Sequence, residues 1–276
     1  MKVSRISQWL VLLSAMMFAQ GVVAADLVMT APPREKPEAG KKIYGPVAEH
    51  LTKLLGKKVV YEHPKNWLNY QRDMRNDKYD FVFDGPHFIS WRMAHHGHDV
   101  LVKLPGTLVF HLVTSKTDTE INNTEDLVGK KICGISPPNL STLSVIAAYP
   151  NPVRQPVIVG IKGGMGAVHK NYQAGECRAA VFRRAFFNKK LAKEAREKYK
   201  IIYTSTPVPN QGFSVSKRIS KREKNLIVQS FTFGDGVKAT SGVLRRFGGK
   251  AKNFIRAKTE EYQGHNLLLE GVIFGW

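Results

Sequence analysis

Two arginines, Arg183 and Arg184, stand immediately past the apolar run Ala179 to Phe182. A planar guanidinium fork grips an oxyanion through two parallel hydrogen bonds, so a pair of them at the end of a strand is a candidate clamp for a small anion. Trp67 and Tyr70 follow another apolar run and reach toward the same kind of position, where aromatic faces stack on or wall off the organic part of a ligand. Packing of a helix against its sheet is the competing use of both residues. The run His95-His96-Gly97-His98 invites a metal reading. Metal sites need a closed ligand set with oriented partners, however, and Gly97 is better placed as the stop of a helix. No serine has a nucleophile-elbow context, and neither an HExxH pair nor a phosphate-binding GxxxxGK[ST] loop occurs. The glycines of Gly163-Gly164-Met165-Gly166 permit close backbone approach but do not match the dinucleotide fingerprint. The residues therefore point to binding rather than catalysis, and no cofactor is expected.

The elements that must position these residues alternate strand and helix. Leu27 to Thr30 reads as a buried strand that runs into the turn-rich loop Ala31-Pro32-Pro33-Arg34-Glu35. Tyr44, Val47, Ala48, Leu51, Leu54 and Leu55 fall on one face at helical spacing, and Gly56 ends that helix. Lys58 to Tyr61 is the next strand, Asn66 caps a helix carrying Trp67, Tyr70 and Met74 inward, and Asp80 to Phe83 is a third strand broken by Gly85-Pro86. A strand at Val100 to Leu104 follows. Repeated βαβ predicts a mostly parallel sheet with helices on both faces, and in such sheets ligands sit beyond the carboxyl ends of the strands. Thr30, Asp84 and His87 occupy such ends. A second unit has strands at Leu108 to Thr114, Lys131 to Gly134, Val157 to Val159, Ala179 to Phe182 and Ile201 to Thr204. The chain then crosses back through Gln211 to Ser216 into a helical tail, where Ser220 and Glu223 have capping-box spacing. Two α/β lobes, 26–106 with 208–276 and 107–207, joined by two hinge crossings and followed by a helical tail, form a clamshell that closes on a ligand.

Lys2 and Arg5, the apolar run Trp9 to Phe18 and the small residues Val23-Ala24-Ala25 have the order of a secretory signal peptide, 1–25, cleaved just before Asp26. That run is short for a membrane span. Export predicts an oxidising compartment, so the two cysteines, Cys133 and Cys177, both on strands of one lobe, are expected to form a disulfide. The net charge of +20 is far above that of an ordinary exported chain and favours anionic partners: small oxyanions, anionic lipid or polysaccharide. Nucleic acid is not expected, because the cations are dispersed and no helix-turn-helix, zinc-finger or RNA-binding signature is present.

Several segments in order resemble one family. Pro46 with Leu51, Leu55-Gly56-Lys57-Lys58-Val59, Tyr79-Asp80-Phe81 before Gly85-Pro86, Asp126-Leu127-Val128-Gly129-Lys130, and Tyr172 with Gly175 are similar to the phosphonate, phosphite and phosphate solute-binding proteins of ABC importers. The resemblance covers roughly Leu27 to Phe213. It implies a type II periplasmic-binding fold, a monomer in the periplasm, capture of a phosphorus oxyanion between the lobes, and delivery to a membrane permease. Delivery of the closed state to a membrane sensor, or a neutral or cationic organic solute or metal as ligand, are the alternatives.

The resemblance also marks positions. Where the family has a Ser/Thr-rich helix start, this chain has Ser136-Pro137-Pro138-Asn139-Leu140-Ser141-Thr142, so Asn139, Ser141 and Thr142 are expected at the anion, with backbone N–H groups of the helix start. Capping of the local helix is the other use of Ser141. Where members carry an aromatic after the Gly-Pro break, this chain has His87 and Phe88, with Asp84 just before. It departs at Met165 and Arg178, where members often have His and Asp. Those departures put phosphonate itself in doubt while leaving the fold in place.

Overall fold

The computed structural model describes residues 25–270. The signal-peptide reading falls on residues outside that range, apart from Ala25. No helix among the described residues is long and apolar enough to cross a membrane.

The first elements in chain order are β1 (Leu27–Thr30), α1 (Pro37–Leu55), β2 (Val59–Tyr61), α2 (Trp67–Arg75), β3 (Phe81–Asp84), α3 (Pro86–His96) and β4 (Asp99–Lys103). Each boundary has a local cause. Gly56 closes α1 in the left-handed conformation, at φ 65°, where a Cβ would be strained. The Asn66 side chain accepts the Asn69 N–H at the start of α2. Gly97, at φ 66°, stops α3 within the histidine run.

The chain then crosses through β5 (Thr107–Leu108) into β6 (Phe110–Ser115), β7 (Lys131–Ile135), α4 (Leu140–Ile146), β8 (Val157–Ile161), α5 (Met165–Gln173), β9 (Ala179–Arg183), α6 (Arg184–Lys190), α7 (Lys193–Glu197) and β10 (Tyr199–Thr204). It returns through β11 (Val208–Pro209) to β12 (Gly212–Val215). The tail comprises α8 (Lys221–Phe233), α9 (Gly236–Ala239), α10 (Ser241–Phe247), β13 (Ile255–Arg256) and α11 (Leu267–Glu270). Ser220 and Glu223 close a reciprocal capping box on α8.

These strands form two separate sheets with helices packed on them. One runs β13-β4-β12-β3-β1-β2 and the other β10-β6-β9-β7-β8, while β5 and β11, the two crossings, pair with each other. Most strands of each sheet run in one direction, as expected, but each sheet has a reversed strand inserted in it, and β13 is also reversed at the edge of the first. In the first, β12 lies antiparallel between β3 and β4. In the second, β6 lies antiparallel to β9 and β10. The reason is the crossings: β6 and β12 each follow directly from a crossing and enter their new sheet from the opposite direction. The strands fed by helices keep the parallel order, as β1 does with β2 and β3, and β7 with β8 and β9.

Each sheet has its own core. Met29, Phe81, Phe83, Phe213 and Phe231 fill the first. Leu112, Ile132 and Val181 lie on one face of the second, and Val113, Cys133 and Phe182 on the other. A further apolar cluster joins the two units: Leu143 of α4 packs among Tyr70, Phe88 and Trp91, together with Leu269 of α11. Cys133 and Cys177 are bridged, with Cα atoms 5.6 Å apart. Cys133 is on β7, whereas Cys177 is not on a strand as expected but two residues before β9, the parallel neighbour of β7.

Candidate functional site

The two sheets meet at the carboxyl ends of their strands. His87, in the first turn of α3 after β3, sets its Nε2 3.1 Å from the Pro138 carbonyl, in the segment after β7. The ring is buried, and burial pushes its pKa down to about 3, so the imidazole is neutral and its Nε2–H donates. Its Nδ1 is enclosed without a partner. Because β1 is parallel to β3, and β9 to β7, the carboxyl ends of β1 and β9 point into the same region.

Asp84, at the end of β3, is part of a buried network. Its Oδ2 accepts from Arg92 Nη2 at 2.9 Å and from the Tyr70 hydroxyl, and Arg92 also donates to Tyr70 (3.0 Å) and to Ser214 (3.2 Å). Burial opposes the charge on Arg92, but the Asp84 carboxylate and the hydrogen bonds to Asp84 and Tyr70 outweigh it and hold Arg92 above its usual range. Burial lifts the Tyr70 hydroxyl far above the ordinary tyrosine range, so it stays protonated.

Of the remaining expected contacts, most are directed inward. Thr30 donates to the Glu62 carbonyl at 2.7 Å. Asn139 caps α4 by accepting the Ser141 N–H at 3.0 Å, and it accepts the Ser141 hydroxyl at 2.7 Å. Thr142 donates to the Ile135 carbonyl at 2.6 Å. Phe88 stacks on Trp67, with ring centroids 6.1 Å apart, and meets Tyr70 edge-on. The arginine pair divides. Arg184 is exposed, whereas Arg183 is half-buried at the end of β9, and its side chain has no hydrogen bond or ion pair among the described residues. Burial lowers the Arg183 pKa, the signature of a guanidinium withdrawn from water without a counter-charge.

Arg178 is not part of this region. Its backbone N–H bonds to Lys131, at the amino ends of β7 and β9, and its guanidinium pairs with Asp118 and Glu120 on the far side of the sheet. The histidine run likewise serves structure: His98 is buried against Asp77 at 3.3 Å. No group of His, Cys, Asp and Glu suited to a metal occurs among the described residues.

Sequence reasoning passed over Arg34, Glu35 and Tyr44. Arg34 lies in the loop after β1, four residues past Thr30. Its guanidinium lies over the Phe247 ring at 4.8 Å and the Phe83 ring at 5.9 Å, and its one hydrogen bond is a marginal 3.5 Å contact to the Phe83 carbonyl. Arg34 Nε and the Tyr44 hydroxyl are enclosed without hydrogen-bond partners. Beside them Glu35 pairs with Arg246 at 3.3 Å. The signal was available, since the rule that ligands sit past strand ends applies to the loop after Thr30 as it does to Asp84.

The sequence matches the family of periplasmic substrate-binding proteins of phosphonate ABC transporters over residues 29–262. The chain belongs to that family. It is accordingly a binding protein and not an enzyme. Solved structures share the fold at low identity. A Xanthomonas citri protein bound to ATP superposes with a TM-score of 0.70 at 8% identity, covering 90% of this chain and 98% of its own. PhnD1 from Prochlorococcus marinus in complex with methylphosphonate gives 0.64 at 14%, covering 89% and 97%. A binding-protein component of a phosphonate transporter from Pseudomonas aeruginosa gives 0.55 at 15%, covering 88% and 84%. No curated protein matches the chain in sequence. The fold of this family member is the type II periplasmic-binding clamshell of two α/β lobes, which other solutes also use: an ancestral arginine-binding protein bound to arginine superposes with a TM-score of 0.50 at 16% identity.

Proposed function

We propose that this family member captures a small oxyanion, of the phosphonate, phosphite or phosphate type, between lobes 26–106 with 208–276 and 107–207, and delivers it to an ABC permease as a periplasmic monomer whose mature chain begins near Asp26. The observation that carries the reading is a pair of under-partnered guanidiniums, one past a strand end on each sheet. Arg34 is braced on two aromatic rings with its Nε unsatisfied, and Arg183 is half-buried with no partner among the described residues. The nearby carboxylates are each ion-paired, Asp84 with Arg92 and Glu35 with Arg246, although Asp84 Oδ1 and both Glu35 oxygens lack hydrogen bonds. The region therefore holds a surplus of positive charge in a poorly solvated setting, which favours a negative ligand. Family membership supports the same conclusion.

Calorimetry on the mature chain with phosphate, phosphite and methylphosphonate tests it. A hydrogen bond to a charged group is worth about 1.5–3 kcal/mol. Arg34→Gln and Arg183→Gln should then each weaken binding roughly tenfold to a hundredfold. Ser141→Ala with Thr142→Ala should act chiefly on stability, since both hydroxyls bond to protein acceptors. If none of the three anions binds, or if both arginine variants keep full affinity while remaining folded, the reading is wrong.

A further inference from the structure

One small anion uses only a fraction of a net charge of +20. The excess is densest in the tail, where Glu223 and Asp235 are the sole acidic residues between Lys217 and Lys258. Some of the cations there have structural partners: Arg218 pairs with Asp80, and Lys224 with Asp99. Others do not. Arg222, Lys238, Lys252 and Arg256 are exposed, and their side chains carry no ion pair or hydrogen bond among the described residues, while Arg245 reaches only the Ser241 hydroxyl.

These cations surround exposed apolar side chains. On α8, Arg222, Leu226, Gln229 and Phe233 recur at helical spacing along one solvent-facing stripe. Phe233, at the helix end, is 87% exposed, and Leu226 is 37% exposed. Ile255, on the edge strand β13 packed beside α8, is 38% exposed. Lys238, Arg245 and Lys252, with Asp235 as the one acidic neighbour, line a shallow hollow on one side of the Phe233 corner, and Arg256 lines the groove on the other together with Phe233 and Ile255. The Asn253 side chain, donating to the Thr232 carbonyl at 2.9 Å, fixes the ridge between them. An aromatic ring left in water is unfavourable, and so is a cluster of unpaired like charges, so the combination points to a partner that relieves both.

We propose that this face, the end of α8 with α9, α10 and β13, docks on an anionic lipid surface, with Phe233 entering the interface and the surrounding Lys and Arg held against acidic headgroups. A bilayer fits better than an acidic protein. The ring is 87% exposed at the rim of an open groove, and a lipid interface accepts a protruding aromatic without shape complementarity. The proposal is independent of the ligand reading, because none of these residues lies at the carboxyl ends of the strands.

The test is co-sedimentation of the intact mature chain with vesicles of phosphatidylcholine containing phosphatidylglycerol, against vesicles of phosphatidylcholine alone, at low and high salt. Binding is expected only to the phosphatidylglycerol vesicles, and salt should weaken it. Each basic residue near such a surface contributes enough that removing one lowers partitioning about fivefold. Lys238→Ser, Arg245→Ser and Lys252→Ser together should thus lower it roughly a hundredfold. Phe233→Ser should lower it about tenfold, from the lost burial of one ring. In Phe233→Trp, the emission that exceeds the wild-type signal should shift to the blue on vesicle addition. All these positions are on the surface, so far-ultraviolet circular dichroism of each variant should match wild type. The proposal is overturned if phosphatidylglycerol vesicles fail to bind wild type at low salt, if the charge variant binds as well as wild type, or if Phe233→Ser is neutral and the new Trp shows no shift. Capture of an acidic protein with indifference to vesicles overturns it as well.

Discussion

Asp84 and Arg92 face each other at 2.9 Å with both side chains shut off from solvent. Tyr70 and Ser214 join the pair through Asp84 Oδ2 and the Arg92 guanidinium, while Asp84 Oδ1 has no hydrogen-bond partner, so β3, α2, α3 and β12 are tied together at one point. Burying two charges is expensive, and their mutual attraction roughly offsets it only while both are present. Arg92→Ala should therefore cost about 3–5 kcal/mol in chemical denaturation, because it strands a carboxylate in an apolar setting. Replacing both partners, as Asp84→Leu with Arg92→Met, should recover much of that loss. A double variant no more stable than Arg92→Ala alone would refute the buried-pair account.

Acid should loosen this molecule through two histidines. Burial pushes His87 down to about 3 and His98 to about 2, against an unfolded value of about 6.5. Between those limits the unfolded chain binds more protons than the folded one, so stability rises with pH across that window. The contribution is complete above about pH 6.5 and is lost progressively as pH falls toward 3. Melting temperatures measured through this range should fall with acidity, and the slope should be shallower in His87→Gln, which can still donate to the Pro138 carbonyl. An unchanged slope in that variant would show that His87 is not one of the groups responsible.

The fold was legible from the sequence because its cues are local. Helical periodicity ended by Gly56 or Gly97, the Asn66 cap and the Ser220–Glu223 box each depend on neighbours a few residues away, and all are present. The reversed strands were not legible. The orientation of β12 between β3 and β4 is set by where a chain segment re-enters after a long excursion, which no local pattern encodes. The site was half legible for a related reason. Spacing put His87, Asp84 and Arg183 past strand ends, but it could not say that Arg92, one helical face away, would claim Asp84. Nor could it say that the Ser141 and Thr142 hydroxyls would turn to Asn139 and Ile135. Arg34 was overlooked because Pro32-Pro33 reads as a turn, and the rings that brace it, Phe83 and Phe247, are distant in sequence.

The Cys133–Cys177 bridge closes a loop spanning 44 positions, from the middle of β7 to just before β9. Those two strands are already paired, at Ile132 with Ala179 and at Cys133 with Ala180, so the bridge adds no new neighbour. Its effect is on the unfolded chain, whose freedom the cross-link removes. For a loop of this length the chain-entropy estimate is about 4 kcal/mol, within the usual range of about 2–4. Reduction, or Cys133→Ala with Cys177→Ala, should therefore lower unfolding free energy by about 2–4 kcal/mol while leaving the folded sheet and ligand affinity nearly unchanged. The paired variant is the cleaner test, since single replacement leaves a free thiol. Thiol titration of denatured, unreduced protein should find none, and reactive thiols there would show that the bridge does not form. A paired variant as stable as wild type would show instead that the bridge forms without constraining the unfolded chain.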